Sequence, residues 1–424
     1  MRASPITRKG GSKNRFSGTT YEPGILPLES RASGGGTRRV DFTEVKASST
    51  SVCRKINRDI LLQLTRSRQP VSRADLSRLS GLEPSTVSEI VEQLIREGWI
   101  NEGLLGRPSS GRPPTLFSLN DNLVVLAVDV RPTQAVIAVV DVNSHVLTFS
   151  LQHLSDDLAR VTTSLIDNLK RIRANYSSKS FVGIGISFPV YVDRKSRKLV
   201  FGSRLLGPTT DFERIIEQEM DLTVEIENTA NSCLMSELWF GRMEGIRNSA
   251  MVTVSEGISV GILADGSLIT GHHGTAGDFA HIPFDSSGPP CECGQTGCWE
   301  SMASNKAALR HYRELIPEAN GLSYQDLLDL ALGGDQNAQQ AVARQAAQLG
   351  RGLRIIACAL SPEVMLVAGD LTSAWEQFAP ILEGELSISK LPGVPPRLQP
   401  IRDGDVTRLR GAAALLLQRR AQIH

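Results

Sequence analysis

Nowhere in these 424 residues do about eighteen apolar side chains follow one another, the run a helix needs to cross a bilayer. The richest stretch, Leu123–Val130, is interrupted by Asp129. The N-terminus lacks the apolar core of a secretory signal, so neither a membrane-spanning nor an exported protein is expected. Charge of one sign is nearly absent overall: 46 Lys and Arg stand against 45 Asp and Glu, a net charge of +1. No short-period internal repeat is visible. Cysteines number only six, and half of them fall together as candidate ligands; with no export signal, that points to a reducing cytoplasm. What is present is a hydrophobic fraction of 41%, ordinary for a soluble globular chain, and enough length for two or three domains.

The charge is unevenly spread. Residues 1–50 carry nine Lys and Arg against four Asp and Glu, residues 51–120 ten against seven, and the remainder 27 against 34. A basic front on an acidic body suits an anionic partner at the N-terminal end. Residues 1–50, rich in Gly, Ser, Thr and Arg without apolar period, read as a disordered basic tail. A basic, serine-rich start also fits an organelle transit peptide, but Glu22, Glu29, Asp41 and Glu44 speak against one.

Residues 51–121 read as one compact unit. Ile56, Ile60, Leu61 and Leu64 recur at helical spacing. Ser72-Arg-Ala-Asp75 is a cap with an acid three residues on, opening a short helix to Leu79 that Gly81 breaks. From Ser85 a third helix sets Val87, Ile90, Val91, Leu94 and Ile95 on one apolar stripe. Helix, short helix, glycine turn, helix is the helix-turn-helix order, and 98–103 with 115–119 would form two strands of a wing. Packing alone can produce three helices. Ser85, Thr86 and Ser88, small hydrogen-bonding residues where a recognition helix meets base edges and phosphates, point to DNA. In 107–114 (RPSSGRPP) the glycine and prolines hold Arg107 and Arg112 on a thin extended segment, the chemistry of an arm in a narrow minor groove. A plain linker has the same composition.

Residues 274–300 read GTAGDFAHIPFDSSGPPCECGQTGCWE. His281, Cys291, Cys293 and Cys298 make a Cys₃His set compact enough to close around one tetrahedral zinc, with no open position and hence a structural role. Gly294 and Gly297 let the backbone turn sharply enough for the sulfurs to converge. The alternative is a group of reduced thiols without metal.

This stretch resembles the signature of the ROK family (repressors, open reading frames and sugar kinases), in which G-E-x-G-H leads into C-x-C-G-x-x-G-C-x-E. The second half is complete in Cys291, Cys293, Gly294, Gly297, Cys298 and Glu300; the first carries Asp278 for Glu and Ala280 for Gly. The resemblance implies a zinc-ordered loop beside a sugar pocket, His281 binding metal through one ring nitrogen and facing the sugar with the other. It also implies sugar contacts at Asn228, Asp278 and Glu300, and a carboxylate can accept from two adjacent hydroxyls. ROK repressors carry a similar G-R-P-P just after their winged helix.

From Leu123 onward apolar strands at 123–129, 135–141, 182–188, 223–227 and 364–367 are interspersed with helices at 158–173, up to Trp239, at 337–360, and an amphipathic one at 409–420, the order of a layered α/β domain. Over 122–424 the resemblance implies the two-lobed actin-like ATPase (ribonuclease H-like) α/β fold, preceded here by the α+β winged helix-turn-helix domain.

A ROK kinase needs three further features. A D-x-G-x-T turn lets backbone amides approach phosphate; here it is Asp129-Val-Arg-Pro-Thr133, with Pro132 supplying no N–H. The glycine-rich G-T-G-I-G-G-G turn is Ser255-Glu-Gly-Ile-Ser-Val-Gly261, keeping two glycines and gaining Glu256. The general base of E-N-D-A-N is replaced by Thr229, which takes no proton at neutral pH. These losses predict no catalytic residue and no kinase activity. The expectation is a cytoplasmic repressor of carbohydrate-use genes, a homodimer or homotetramer on operator DNA, holding structural Zn²⁺ and answering to a sugar or sugar phosphate. The alternatives are an active ATP-dependent sugar kinase with an appended DNA-binding domain, and a sugar-blind body that docks a phosphotransfer protein.

Overall fold

The computed structural model describes residues 50–423 apart from 106–112, 156–157, 191, 194–197, 200–211, 242, 244 and 389–394. The tail expected over 1–50, its last residue excepted, and the arm residues Arg107 and Arg112 lie outside the described residues.

The N-terminal part is α1 (Thr50–Arg68), β1 (Val71–Ser72), α2 (Arg73–Ser80), α3 (Pro84–Arg96), β2 (Ile100–Leu105) and β3 (Thr115–Leu119), with β3 between β1 and β2 in an antiparallel sheet. Ser72 caps α2: its hydroxyl accepts from the Asp75 N–H at 3.2 Å, and the Asp75 carboxylate accepts from the Ser72 N–H at 3.1 Å. These Ser72 hydrogen bonds hold Asp75 below the usual carboxylate range. The third helix begins at Pro84, one residue before Ser85, because proline is at home in a first turn. Val87, Ile90, Val91 and Leu94 are buried against Leu61, Leu76, Trp99 and Phe117.

Helix α1 departs from the expected stripe. Ile56 and Ile60 are 53% and 41% exposed, while Arg58, Leu61, Leu62 and Thr65 are buried. The expected Leu61 and Leu64 do face the core, but the inward face also carries an arginine, which hydrophobic spacing alone does not select. Arg58 is accommodated because Glu97 and Asp59 pair with it.

Lobe 1 contains β4 (Leu123–Val130), β5 (Gln134–Asp141), β6 (Val146–His153), α4 (Leu158–Asn175), β7 (Ser180–Phe188), the short pair β8 (Val192–Asp193) and β9 (Lys198–Leu199), α5 (Phe212–Met220), β10 (Val224–Asn228) and α6 (Thr229–Phe240). Its sheet runs β10-β7-β4-β5-β6, parallel across β10, β7 and β4 and antiparallel through β5 and β6. Lobe 2 contains β11 (Ser249–Val254), β12 (Ile258–Ala264), β13 (Ser267–Ile269), a 3₁₀ turn at Phe279–His281, α7 (Trp299–Ala303), α8 (Asn305–Leu315), α9 (Tyr324–Leu332), α10 (Gln336–Leu360), β14 (Val364–Gly369), α11 (Trp375–Ser387) and β15 (Arg397–Ile401). Its order, β13-β12-β11-β14-β15, repeats that of lobe 1 strand for strand.

The last element, α12 (Gly404–Ile423), is not the one-sided amphipathic helix expected at 409–420. Residues 411–417 are buried without interruption, because α12 lies between the lobe 1 sheet and α6, and a helix enclosed on all sides is apolar all round. One hydrophobic cluster runs from the winged helix through Val125, Ala127 and Ala138 into Leu409, Ala412 and Leu416. Among the described residues no helix is long and apolar enough to cross a membrane.

Candidate functional site

A candidate metal centre is built by the loop between β13 and α7. The ligand atoms of His281, Cys291, Cys293 and Cys298 all lie within 4.8 Å of one another. Cys291 Sγ is 3.4 Å from His281 Nδ1, and Cys293 Sγ is 3.6 Å from Cys298 Sγ. A tetrahedral ion with zinc–sulfur bonds of about 2.3 Å and a zinc–nitrogen bond of about 2.0 Å requires edges of roughly 3.5–3.8 Å. The two closest pairs therefore stand near the edge length of a closed tetrahedral site, and the set as a whole is compact enough to contract around one ion. Gly294 and Gly297 have φ of 91° and 65°, left-handed values that bend the loop back on itself. With Nδ1 turned to the sulfurs, His281 Nε2 faces the other way and lies 4.0 Å from Asp278 Oδ1.

Glu300, near the start of α7, accepts a hydrogen bond from the backbone N–H of Ile258 at 2.9 Å. Burial raises its carboxyl above the usual range. Gly257 is what allows this approach: a Cβ there would stand 2.7 Å from Glu300 Oε2. Asp278, His281 and Glu300 thus gather on lobe 2, around the start of β12. Asn228 comes from the other side, at the end of β10, where it caps α6: its Oδ1 accepts from the Asn231 N–H at 2.8 Å. Its Nδ2 is buried without a hydrogen-bond partner among the described residues. Buried polar atoms are nearly always paired, so this donor is a vacancy for a ligand acceptor or a water. Ser187, which sequence reasoning missed, has the same character: a fully buried hydroxyl with no partner, beside Asp129 and Glu227 in the sheet register. No motif marks it; only the register does. These residues stand at the carboxyl ends of parallel strands, where open α/β sheets bind ligands.

At the two turns that match the kinases' phosphate turns in sequence, charged side chains of the chain pair with one another. In lobe 1, Arg131 Nε and Arg408 Nε both donate to the buried Asp129 Oδ2, at 2.8 and 2.9 Å. Asp405 pairs with both arginines, with Arg131 at 2.7 Å. In lobe 2, Glu256 lies 3.7 Å from Lys306, which also reaches Glu292 of the metal loop at 3.1 Å. Thr229 is the first residue of α6.

On the winged helix, Ser85 is exposed and Thr86 and Ser88 are half-buried at the start of α3. The Ser88 hydroxyl donates to the Pro84 carbonyl at 2.9 Å, which leaves Ser85 and Thr86 as the outward polar pair. Sequence reasoning missed the junction behind them. Arg58 Nη1 donates to the Ala421 carbonyl at 3.0 Å, Arg420 Nη2 to the Glu97 carbonyl at 2.7 Å, and the guanidinium of Arg420 lies 5.2 Å from the Trp99 ring centre. These partners are hundreds of residues apart, so no local pattern reveals them.

Residues 125–419 match the ROK family and residues 59–102 the IclR helix-turn-helix domain. The chain is 30% identical over 338 residues to the xylose repressor of Bacillus subtilis, covering 79% of this chain and 87% of that one. It is 22% identical to the N-acetylglucosamine repressor of Escherichia coli O157:H7, over 90% of this chain and 96% of the other. Among solved structures, a ROK family transcriptional regulator, a homologue of the E. coli MLC protein, superposes with a TM-score of 0.74 at 23% identity, over 87% of this chain and 99% of that chain. A ROK family glucokinase from Streptomyces griseus superposes with a TM-score of 0.62 at 24% identity, over 70% of this chain and 99% of that one. The fold is thus the one that regulators and sugar kinases share, and the helix-turn-helix match lies in front of the ROK match. The chain belongs to the ROK family, as a member with an N-terminal DNA-binding domain.

Proposed function

We propose that the protein is a repressor of carbohydrate-use genes in the cytoplasm, whose kinase-like body senses a sugar or sugar phosphate and does not phosphorylate it. One observation carries this reading. The lobe 2 wall keeps His281 and Glu300, with Asp278 for the family's Glu, beside a candidate metal cluster, while the lobe 1 turn carries the Arg131–Asp129–Arg408 pairing. Thr229 in the place of a catalytic acid agrees with it. Asn228, Asp278, His281 and Glu300 would hold the ligand's hydroxyls. Zinc, held by His281, Cys291, Cys293 and Cys298, would supply no chemistry of its own; it fixes the loop that carries His281. Names of relatives favour a pentose or an N-acetylhexosamine.

Ser85 and Thr86, with Arg107 and Arg112 on the arm, would contact a palindromic operator, two half-sites requiring a two-fold dimer or a tetramer built from dimers. Ligand shifts the operator affinity only if it binds the two lobe arrangements unequally. Footprinting on the gene's own upstream DNA at moderate salt, with D-xylose, N-acetylglucosamine and their phosphates added in turn, tests the reading. It should give a protected palindrome that one of these sugars releases, and no protected site at all would sink it. In a coupled ADP-release assay on hexoses and pentoses the protein should be silent. Turnover of about one per second or faster would establish the kinase instead.

A further inference from the structure

Two helices begin at the cleft and end beneath the winged helix. At the cleft end of α6 stands Asn228, with its buried, unpartnered Nδ2. At the far end of α6 the Leu238 carbonyl accepts from Arg66 Nη2 of α1 at 3.4 Å, and the guanidinium of Arg66 lies 4.8 Å from the Trp239 ring centre. Helix α12 has the same polarity. Arg408 near its start grips Asp129, while Arg420 and Ala421 near its end hold Glu97, Trp99 and Arg58 of the winged helix. At 1.5 Å per residue the two helices span about 18 and 30 Å.

The helices cannot slide past each other independently. Gly411 of α12 sits so close to α6 that a Cβ there would lie 1.9 Å from the Ser232 carbonyl oxygen. Close-packed interiors of this kind move as discrete blocks. We propose that α6 and α12 form one rigid transmission unit, and that the cation–aromatic seats Arg66–Trp239 and Arg420–Trp99 are the couplers passing a displacement at Asn228 to the recognition helix. Arg66 and Arg420 are positioning residues here, since neither reaches the cleft. The proposal rests on the cleft being the ligand site, but its mechanical content requires neither sugar nor DNA.

That independence sets the test. Hydrogen–deuterium exchange is followed on the full-length chain and on Asn228→Ala, which perturbs only the cleft end of α6. Exchange in peptides of α1 and β2 should change by about fivefold or more, the lower range of measured site-to-site couplings. In Asn228→Ala combined with Arg66→Met and Arg420→Met the distant change should vanish while the local change at residues 229–233 remains. Arg66→Lys, keeping a cation over Trp239, should restore part of it; this variant also serves if the methionine variants fail to fold. An Asn228→Ala effect confined to the cleft, or a distant effect that survives loss of both arginines, overturns the transmission unit. Neither result would disturb the footprinting and sugar-release tests, so the two ideas fail separately.

Discussion

The two lobes repeat one strand order, and each has a three-residue turn at the same place, between its first and second strands: Arg131-Pro-Thr133 in lobe 1 and Ser255-Glu-Gly257 in lobe 2. Both are filled from within. In lobe 1 the filling is cationic, Arg131 and Arg408 closing on Asp129; in lobe 2 it is anionic, Glu300 seated on the Ile258 amide. The consequences differ. In lobe 1 each guanidinium is tied to two carboxylates, whereas Glu300 has one oxygen on the backbone amide of Ile258. Duplicated topology thus accommodates two turns of different charge without change of strand order.

The largest effect should come from the metal loop, which lobe 1 lacks among its described residues. Cys298→Ser, at a fully buried ligand position, should abolish stoichiometric zinc by elemental analysis and lower stability by more than about 3 kcal/mol, because loss of a structural metal is one of the few causes of so large a change. Wild-type stability without metal would remove the asymmetry between the lobes. Next is the lobe 1 turn: Asp129→Ala leaves two arginines facing each other and should destabilise by about 3 kcal/mol in urea titration, the scale for breaking a buried pair. A change below about 1 kcal/mol would mean the cluster is a surface pairing and the turn is open.

A third effect belongs to the helical layer of lobe 2. His311 is buried, and burial, then Arg344 and Arg310, push its pKa down to about 4. Its folded value is below its unfolded one of about 6.5, so the unfolded chain binds the proton first. The contribution is complete above pH 6.5 and is lost as pH falls toward 4, by about 2 kcal/mol. Between pH 7 and 4.5 the parent should lose that much more stability than His311→Gln; equal slopes would show that the imidazole is solvated. The smallest effect tests the lobe 2 turn. Gly257→Ala pushes Glu300 off the Ile258 amide and should weaken sugar binding about tenfold, worth about 1.4 kcal/mol, with little change in zinc content. Unaltered affinity by calorimetry would remove Glu300 from the ligand wall.

What the sequence disclosed depended on how far apart the interacting residues lie. The Cys₃His set spans eighteen positions, so composition and spacing suffice to see it. The capping box of α2 and the stripe of α3 are equally local. The stripe of α1 misled in part because Arg58 occupies a core position that Asp59, Glu97 and the distant Ala421 make tolerable. Helix α12 was expected to have a wet face because its arginines are read as solvent-facing, whereas Arg408, Arg410 and Arg420 each find a partner across the fold. The lobe repeat is invisible in sequence because it is a repeat of strand order and not of residues. Of the ligand wall, Asp278, His281 and Glu300 are carried by a motif, while Ser187 is defined only by which strands lie beside it.

The bond between Arg58 and Ala421 joins residues 363 positions apart. A ribosome adding about 5–20 residues per second needs on the order of 20–70 seconds to cover that distance. For most of that interval the residues of the winged helix have already been joined, and their seat on α12 has not been made. A chain stopped before residue 404 carries a complete winged helix that lacks its contacts through Arg420 and Ala421 and keeps only those to α6 and the lobe 1 sheet.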